Sequence, residues 1–238
     1  MFFGVSVSGG IDESGDELPI IYQPQYEKRG LPGAVYEVVA AEDIITPDGT
    51  VRNHKGDVVD TIITDENGIA MSCELYLGEY EVREVTAPNG MVLNPESRFV
   101  ELVYAGQNVA VTETATSFEN ERQKVEISLV KSIEQNERFD IGTNGEMKNI
   151  TFGLFSAEEI VSTSGTFIPA DGLIEIVSLN EDGTATIKTD LPYGRYYVQE
   201  IATDSHYKLS DAKYPIIFEY VGQDTAVVKI AVNDGKAI

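Results

Sequence analysis

The chain has 238 residues, with 17 Lys and Arg against 40 Asp and Glu, a formal net charge of −23. So acidic a balance excludes the basic footprint that grips nucleic-acid phosphates or anionic lipid and reads as a soluble, extracellular surface. One cysteine, Cys73, and two histidines, His54 and His206, exclude an internal disulfide and every cysteine-rich zinc site, and leave few histidines for catalytic triads.

Apolar residues at 42% suffice for a core, and no apolar run approaches a membrane span. No Lys or Arg precedes Lys28, so the charged start of a signal peptide is not expected. In chain order, Phe3-Val5-Val7 and Leu18-Ile20-Tyr22 are alternative first strands. Val35-Glu37-Val39, Tyr80-Val82-Glu84 and Val100-Leu102-Tyr104 then sit in β-branched and aromatic runs. Turn signals separate them at Pro47-Asp48-Gly49, Glu66-Asn67-Gly68 and Pro88-Asn89-Gly90. Ala40-Ala41-Glu42-Asp43-Ile44 is the best helical candidate and is too short to stand alone.

Further on, Val125-Glu126-Ile127-Ser128-Leu129-Val130-Lys131 alternates cleanly, with Ile127, Leu129 and Lys131 on one face. Thr184-Ala185-Thr186-Ile187 and Ala226-Val227-Val228-Lys229-Ile230 are the next strands. Turns are expected at Glu181-Asp182-Gly183 and Asn233-Asp234-Gly235.

The order of elements repeats. Ala41-Glu42-Asp43-Ile44 returns as Ala157-Glu158-Glu159-Ile160, an offset of 116 residues. Gly78-Glu79-Tyr80-Glu81-Val82-Arg83-Glu84 returns at that offset as Gly194-Arg195-Tyr196-Tyr197-Val198-Gln199-Glu200, and Tyr104-Ala105-Gly106-Gln107 as Tyr220-Val221-Gly222-Gln223. So long a period means a duplicated domain rather than a solenoid unit. About seven short strands per copy, spaced by turns, predict an all-β chain of two β-sandwiches, residues 1–120 and 121–238. The charged joint at 119–123 holds no Gly, Pro or Ser, which favours a stiff, end-to-end array.

Three segments resemble the SpaA-type pilin (Cna B-type) domains, which have a prealbumin-like sandwich fold. Leu31-Pro32-Gly33-Ala34-Val35-Tyr36-Glu37-Val38 resembles their "L-x-G-A-x-F/Y-x-L" strand, and Thr64-Asp65-Glu66-Asn67-Gly68 their "T-D-x-x-G" hairpin. The run from Leu75 through Gly78, Tyr80 and Glu84 to Ala87-Pro88 resembles their E-box, "L-x-x-G-x-Y-x-x-x-E-x-x-A-P". The second copy keeps the E-box through Glu200 but has Thr203-Asp204 where Ala-Pro is expected.

The resemblance implies shafts and stalks of Gram-positive surface proteins. In many members a first-strand Lys is joined to a last-strand Asn or Asp by an isopeptide bond, assisted by the E-box Glu. Such a bond needs a neutral amine and a protonated acid, which burial favours by lowering a Lys pKa and raising that of a Glu. On this pattern Lys131 is the nucleophile and Glu200 the proton shuttle of the second copy. Its acceptor is Asn233, given a three-residue gap in the last hairpin, or a residue beyond Ile238. In the first copy Glu84 and Asn120 match the acid and the acceptor, yet neither candidate first strand carries a lysine, so no crosslink is expected there unless a preceding N-terminal piece supplies the amine.

Other constellations have plainer readings. Asp65-Glu66-Asn67-Gly68 and Asn180-Glu181-Asp182-Gly183 lack calcium-loop ligand spacing and read as turns. Asp204-Ser205-His206 are adjacent and cannot converge as a triad must. Cys73 has no basic neighbour and reads as an inert thiol. No cofactor or metal is expected, and no enzymatic turnover beyond a single internal condensation. The leading reading is a structural spacer of a bacterial cell-wall adhesin or pilin, its partners neighbouring repeat domains of a longer surface protein. The competing readings are an adhesin module binding host matrix protein or glycan through its loops, and a transthyretin-like accessory domain.

Overall fold

The computed structural model describes residues 3–11, 15–233 and 236–237, excluding the side chains of Phe3, Asn233, Lys236 and Ala237. It is 45% strand and 3% helical, the all-β class expected. Among the described residues, no helix is long and apolar enough to cross a membrane. The strands are β1 (Phe3–Ile11), β2 (Glu17–Tyr26), β3 (Val35–Ala40), β4 (Ile44–Ile45), β5 (Val51–Asn53), β6 (Val58–Ile63), β7 (Gly78–Thr86) and β8 (Ser97–Leu102). They continue with β9 (Lys124–Val130), β10 (Thr151–Ser156), β11 (Ile160–Val161), β12 (Phe167–Ile168), β13 (Leu173–Ser178), β14 (Thr184–Ile187), β15 (Gly194–Ala202), β16 (Lys213–Phe218), β17 (Val227–Asn233) and β18 (Lys236–Ala237).

The chain forms two compact units. One comprises residues 28–123 with 222–226, the first-repeat unit, and the other 1–27, 124–221 and 227–238, the second-repeat unit. The expected division at 120/121 differs from this chiefly at the N-terminus. The two alternative first strands of copy one are both formed, as the antiparallel hairpin β1–β2, and that hairpin belongs to the second-repeat unit. Val5, Tyr22 and Tyr26 pack on that unit's core, and the Val5 amide donates to Thr166 Oγ1 at 3.1 Å. Alternation marked these runs as strands but carried no information on which core their apolar faces would cover.

In the second-repeat unit two four-stranded sheets form a sandwich, ordered β13-β10-β15-β16 and β14-β9-β17-β18. Val125, Ile127 and Leu129 of β9 are 3%, 0% and 3% exposed, so period two delivers a fully apolar inner face. It joins Phe152, Leu154, Val198, Ile216 and Phe218 in one core. β9 and β17 run side by side and parallel, from Val227 opposite Lys124 to Asn233 opposite Val130.

The first-repeat unit has the counterpart of only one sheet, β6-β3-β7-β8, plus the short hairpin β4–β5. Its core is Ala34, Tyr36, Val38, Ala40, Ile44, Tyr80 and Val82. The segments that correspond in sequence to β14 and β17 form no strand, among the described residues. The short helical candidate is no helix either: Ile44 starts β4, and its side chain is buried.

Local detail repeats faithfully. Tyr80 donates its hydroxyl to the Tyr76 carbonyl at 2.7 Å, and Tyr196 does the same to Pro192 at 2.6 Å. The two calcium-like stretches are turns. Asp65 Oδ1 accepts the Asn67 and Ile69 amides, and Asp182 Oδ1 accepts the Thr184 amide, so these carboxylates close hairpins.

Candidate functional site

Lys131 follows the last residue of β9 and continues the inner face of Ile127 and Leu129. Its amide donates to the Gly183 carbonyl at 2.9 Å, tying it to the turn before β14. Glu200 sits in β15 opposite Phe152 of β10 and is 3% exposed. The two meet inside the unit, Lys131 Nζ lying 3.0 Å from Glu200 Oε2, with the lysine side chain 26% exposed and the glutamate's 2%. Such an arrangement holds an amine and a buried carboxyl close enough for proton exchange. The backbone of Asn233 ends β17 beside Val130, next to Lys131, and its side chain lies outside the described residues.

In the first-repeat unit Glu84, 6% exposed, faces Tyr36 across the β3–β7 ladder. Glu84 Oε2 accepts the Asn94 amide at 2.7 Å and Asn120 Nδ2 at 2.7 Å. Asn120 Nδ2 also donates to the Val92 carbonyl at 3.0 Å. Glu84 Oε1 is buried, and the Tyr36 hydroxyl hydrogen-bonds to this carboxylate. Burial, and then the negative charge of Glu84, push the Tyr36 hydroxyl up to about 12. Among the described residues no lysine is bonded to this carboxylate, and Lys28 Nζ is paired with Glu119 at 2.9 Å with its side chain 87% exposed.

The structure thus joins Lys131 to Glu200 and Glu84 to Asn120, pairs that sequence reasoning assigned to two half-matching sites. It also adds Asn94 and the Val92 carbonyl, which sequence reasoning missed because they lie in an irregular loop with no periodic signal. Cys73 is exposed, and desolvation followed by hydrogen bonding to Asp60 raises its thiol pKa, which leaves it protonated.

Where the second E-box departs from the family pattern, Asp204 has structural work. It accepts Asn149 Nδ2 at 2.6 Å and the His206 amide at 3.0 Å, anchoring the segment that leads from Lys131 to β10. The Asn149 bond first, then those from His206, hold the Asp204 carboxyl below the usual range. A carboxyl depressed in the folded state stabilises above its unfolded pKa, and that contribution is lost as pH falls through the folded value. Thermal midpoints measured from neutral pH down into the acid range should therefore fall more gently for Asp204→Asn than for the parent chain.

A family model described as the SpaA prealbumin-like fold domain matches residues 20–117 and 132–236. No curated protein sequence matches the chain. Among solved structures, the Bacillus anthracis TIE protein is 19% identical over 99% of this chain and 41% of its own, at TM-score 0.50. This chain therefore spans about two fifths of that protein, and the likeness is one of fold. The minor pilin of Streptococcus agalactiae is 14% identical over 90% of this chain and 87% of its own, at TM-score 0.30. The shaft pilin of Lactobacillus rhamnosus GG is 11% identical over 97% and 94%, at TM-score 0.27. With the matched segments falling on both repeats and together covering most of its length, the chain belongs to the SpaA family of prealbumin-like fold domains.

Proposed function

We propose that the chain is a load-bearing spacer of a Gram-positive surface protein, flanked by further repeat domains, with a Lys131 isopeptide crosslink in its second repeat. The observation that carries this is the Lys131–Glu200 pair, 3.0 Å apart, at the end of the strand that enters the repeat. Strands β9 and β17, near the two ends of the repeat, are adjacent and parallel, so tension between them loads them in shear. A covalent link between their ends would carry that tension past the hydrogen-bonded ladder.

In the proposed step the neutral Lys131 amine adds to the acceptor carbonyl, and Glu200 moves the proton to the leaving group. An asparagine acceptor releases ammonia and an aspartate acceptor releases water. The test is the intact mass. Loss of about 17 Da marks an asparagine and about 18 Da an aspartate, with a branched tryptic peptide identifying Lys131 and its partner. Lys131→Arg should restore the full calculated mass. A parent chain of full mass, with Lys131 recovered in a linear peptide, would overturn Asn233, or any other residue of this chain, as the acceptor.

A further inference from the structure

One loop of the second repeat's sequence folds into the first-repeat unit. Residues 222–226 connect β16 to β17, yet they belong to that unit. Gln223 fixes them there through three hydrogen bonds. Its Oε1 accepts the Ala87 amide at 2.9 Å, its Nε2 donates to the Val85 carbonyl at 3.4 Å, and its own carbonyl accepts the Leu93 amide at 3.0 Å. Val85 is available because it is a bulge. The ladder pairs Val35 with Thr86 and Tyr36 with Glu84, leaving no residue opposite it. One glutamine thus satisfies the backbone groups at the end of β7 as a neighbouring strand would.

Both halves of this latch occur a second time, at the 116-residue offset. The loop recurs as Gly106-Gln107-Asn108-Val109. Gly106 and Gly222 have φ +105° and +114°, and the Val109 and Thr225 amides donate back to their carbonyls at 3.1 and 3.4 Å. Gln107 is exposed, and its side chain makes no hydrogen bond among the described residues. The strand end recurs as well. Thr151 faces Ala202 and Phe152 faces Glu200, so Ile201 is the same bulge in β15. The turn beyond it is repeated too, the Met91 amide donating to Pro88 at 2.9 Å and the Tyr207 amide to Asp204 at 3.0 Å. Thr203 and Leu209 stand where Ala87 and Leu93 stand, and their amides make no hydrogen bond among the described residues. Beside the engaged latch, the chain presents a free loop and a free strand end of the same geometry.

We propose that these two surfaces join copies of the chain head to tail. The Gln107 loop of one copy docks on the strand end at 201–203 of the next. Gln107 Oε1 takes the Thr203 amide, its Nε2 donates to the Ile201 carbonyl, and its own carbonyl takes the Leu209 amide. Charge favours this pairing over other contacts between copies. At a net charge of −23 most faces repel one another, whereas residues 103–111 and 201–203 hold no charged side chain. Val103 and Tyr104 beside the loop are 52% and 67% exposed, and Leu209 at the strand end is 47% exposed, so apolar area is there to bury. Because the two surfaces differ, the contact is heterologous and continues from copy to copy. It uses neither Lys131 nor Glu200, and so stands or falls apart from the crosslink.

The test is self-association of the full chain, followed by sedimentation velocity. The mass of the parent should rise with concentration and pass that of a dimer. Gln107→Ala removes the loop's donor and acceptor, and Thr203→Pro removes the amide it would bind. Each variant alone should stay monomeric, with circular dichroism checking that both fold. Leu209→Asp, at an exposed position, takes the place of Thr203→Pro if that variant unfolds. An equimolar mixture of the two variants is the sharper sample. One keeps the strand end and the other keeps the loop, so the mixture should form dimers and nothing larger. Lys131→Arg should associate as the parent does. A parent that stays monomeric into the millimolar range, a Gln107→Ala chain that associates like the parent, a mixture without dimers, or loss of association in Lys131→Arg would each overturn the proposal.

Discussion

Lys131→Met is expected to produce the largest loss of stability of any single change at the second-repeat site. Glu200 is 3% exposed and its Oε2 is held by the Lys131 ammonium. Removing that cation leaves a carboxylate in an apolar core, for which breaking a buried pair typically costs about 3–5 kcal/mol. The lysine side chain is 26% exposed, so water already screens part of the attraction and the lower end of that range applies. If the crosslink is present, Lys131 is an amide with no charge to lose, and the cost is instead the entropy of releasing a loop of roughly 100 residues, about 5 kcal/mol in the chain-closure picture used for disulfides. Either effect is a large share of a typical domain stability of about 5–15 kcal/mol. Denaturant titration alongside the intact mass separates the cases: a drop of about 3 kcal/mol with full mass belongs to the charge pair, and one of about 5 kcal/mol from a parent of reduced mass to the covalent link. Glu200→Ala should be milder than Lys131→Met in the uncrosslinked state, because a lysine a quarter exposed can turn its ammonium to solvent. It should also abolish crosslinking while leaving the fold largely intact, since its proposed part is proton transfer.

Gly183→Ala is expected to displace Lys131 without touching its side chain. Gly183 has φ +79°, and a Cβ there would stand 2.3 Å from the Lys131 carbonyl oxygen. The left-handed conformation alone costs a non-glycine residue roughly 1–2 kcal/mol. The backbone overlap cannot be relieved by rotating a side chain, so either the turn before β14 or the end of β9 must move. Gly165 provides the control, with φ +82° and nothing within 4 Å of its added Cβ. Gly165→Ala should therefore show only the conformational cost, while Gly183→Ala loses about 3 kcal/mol or more and reduces the crosslinked fraction. Equal midpoint shifts for the two variants, by thermal unfolding, would show that the contact with Lys131 is unimportant.

The sequence by itself determined the repeat, the all-β class and the inward registers of the second copy. Period two is a local property, and a clean alternation such as Ile127, Leu129, Lys131 states which side chains share a face wherever the strand is placed. The E-box spacing likewise marked Glu84 and Glu200 before any neighbour was known. Tertiary structure alone decided which strand lies against which edge. Residues 3–26 alternate well enough to be strands, yet only packing sends Val5, Tyr22 and Tyr26 to the second-repeat core and leaves residues 110–118 without a ladder. Edge choice depends on loop closure and on apolar area distant in sequence, which no window of residues contains. For the same reason the hydrogen bonds of Glu84 to Asn94 and Asn120 appear only once the loop after β7 and the segment after β8 have folded back over the strand.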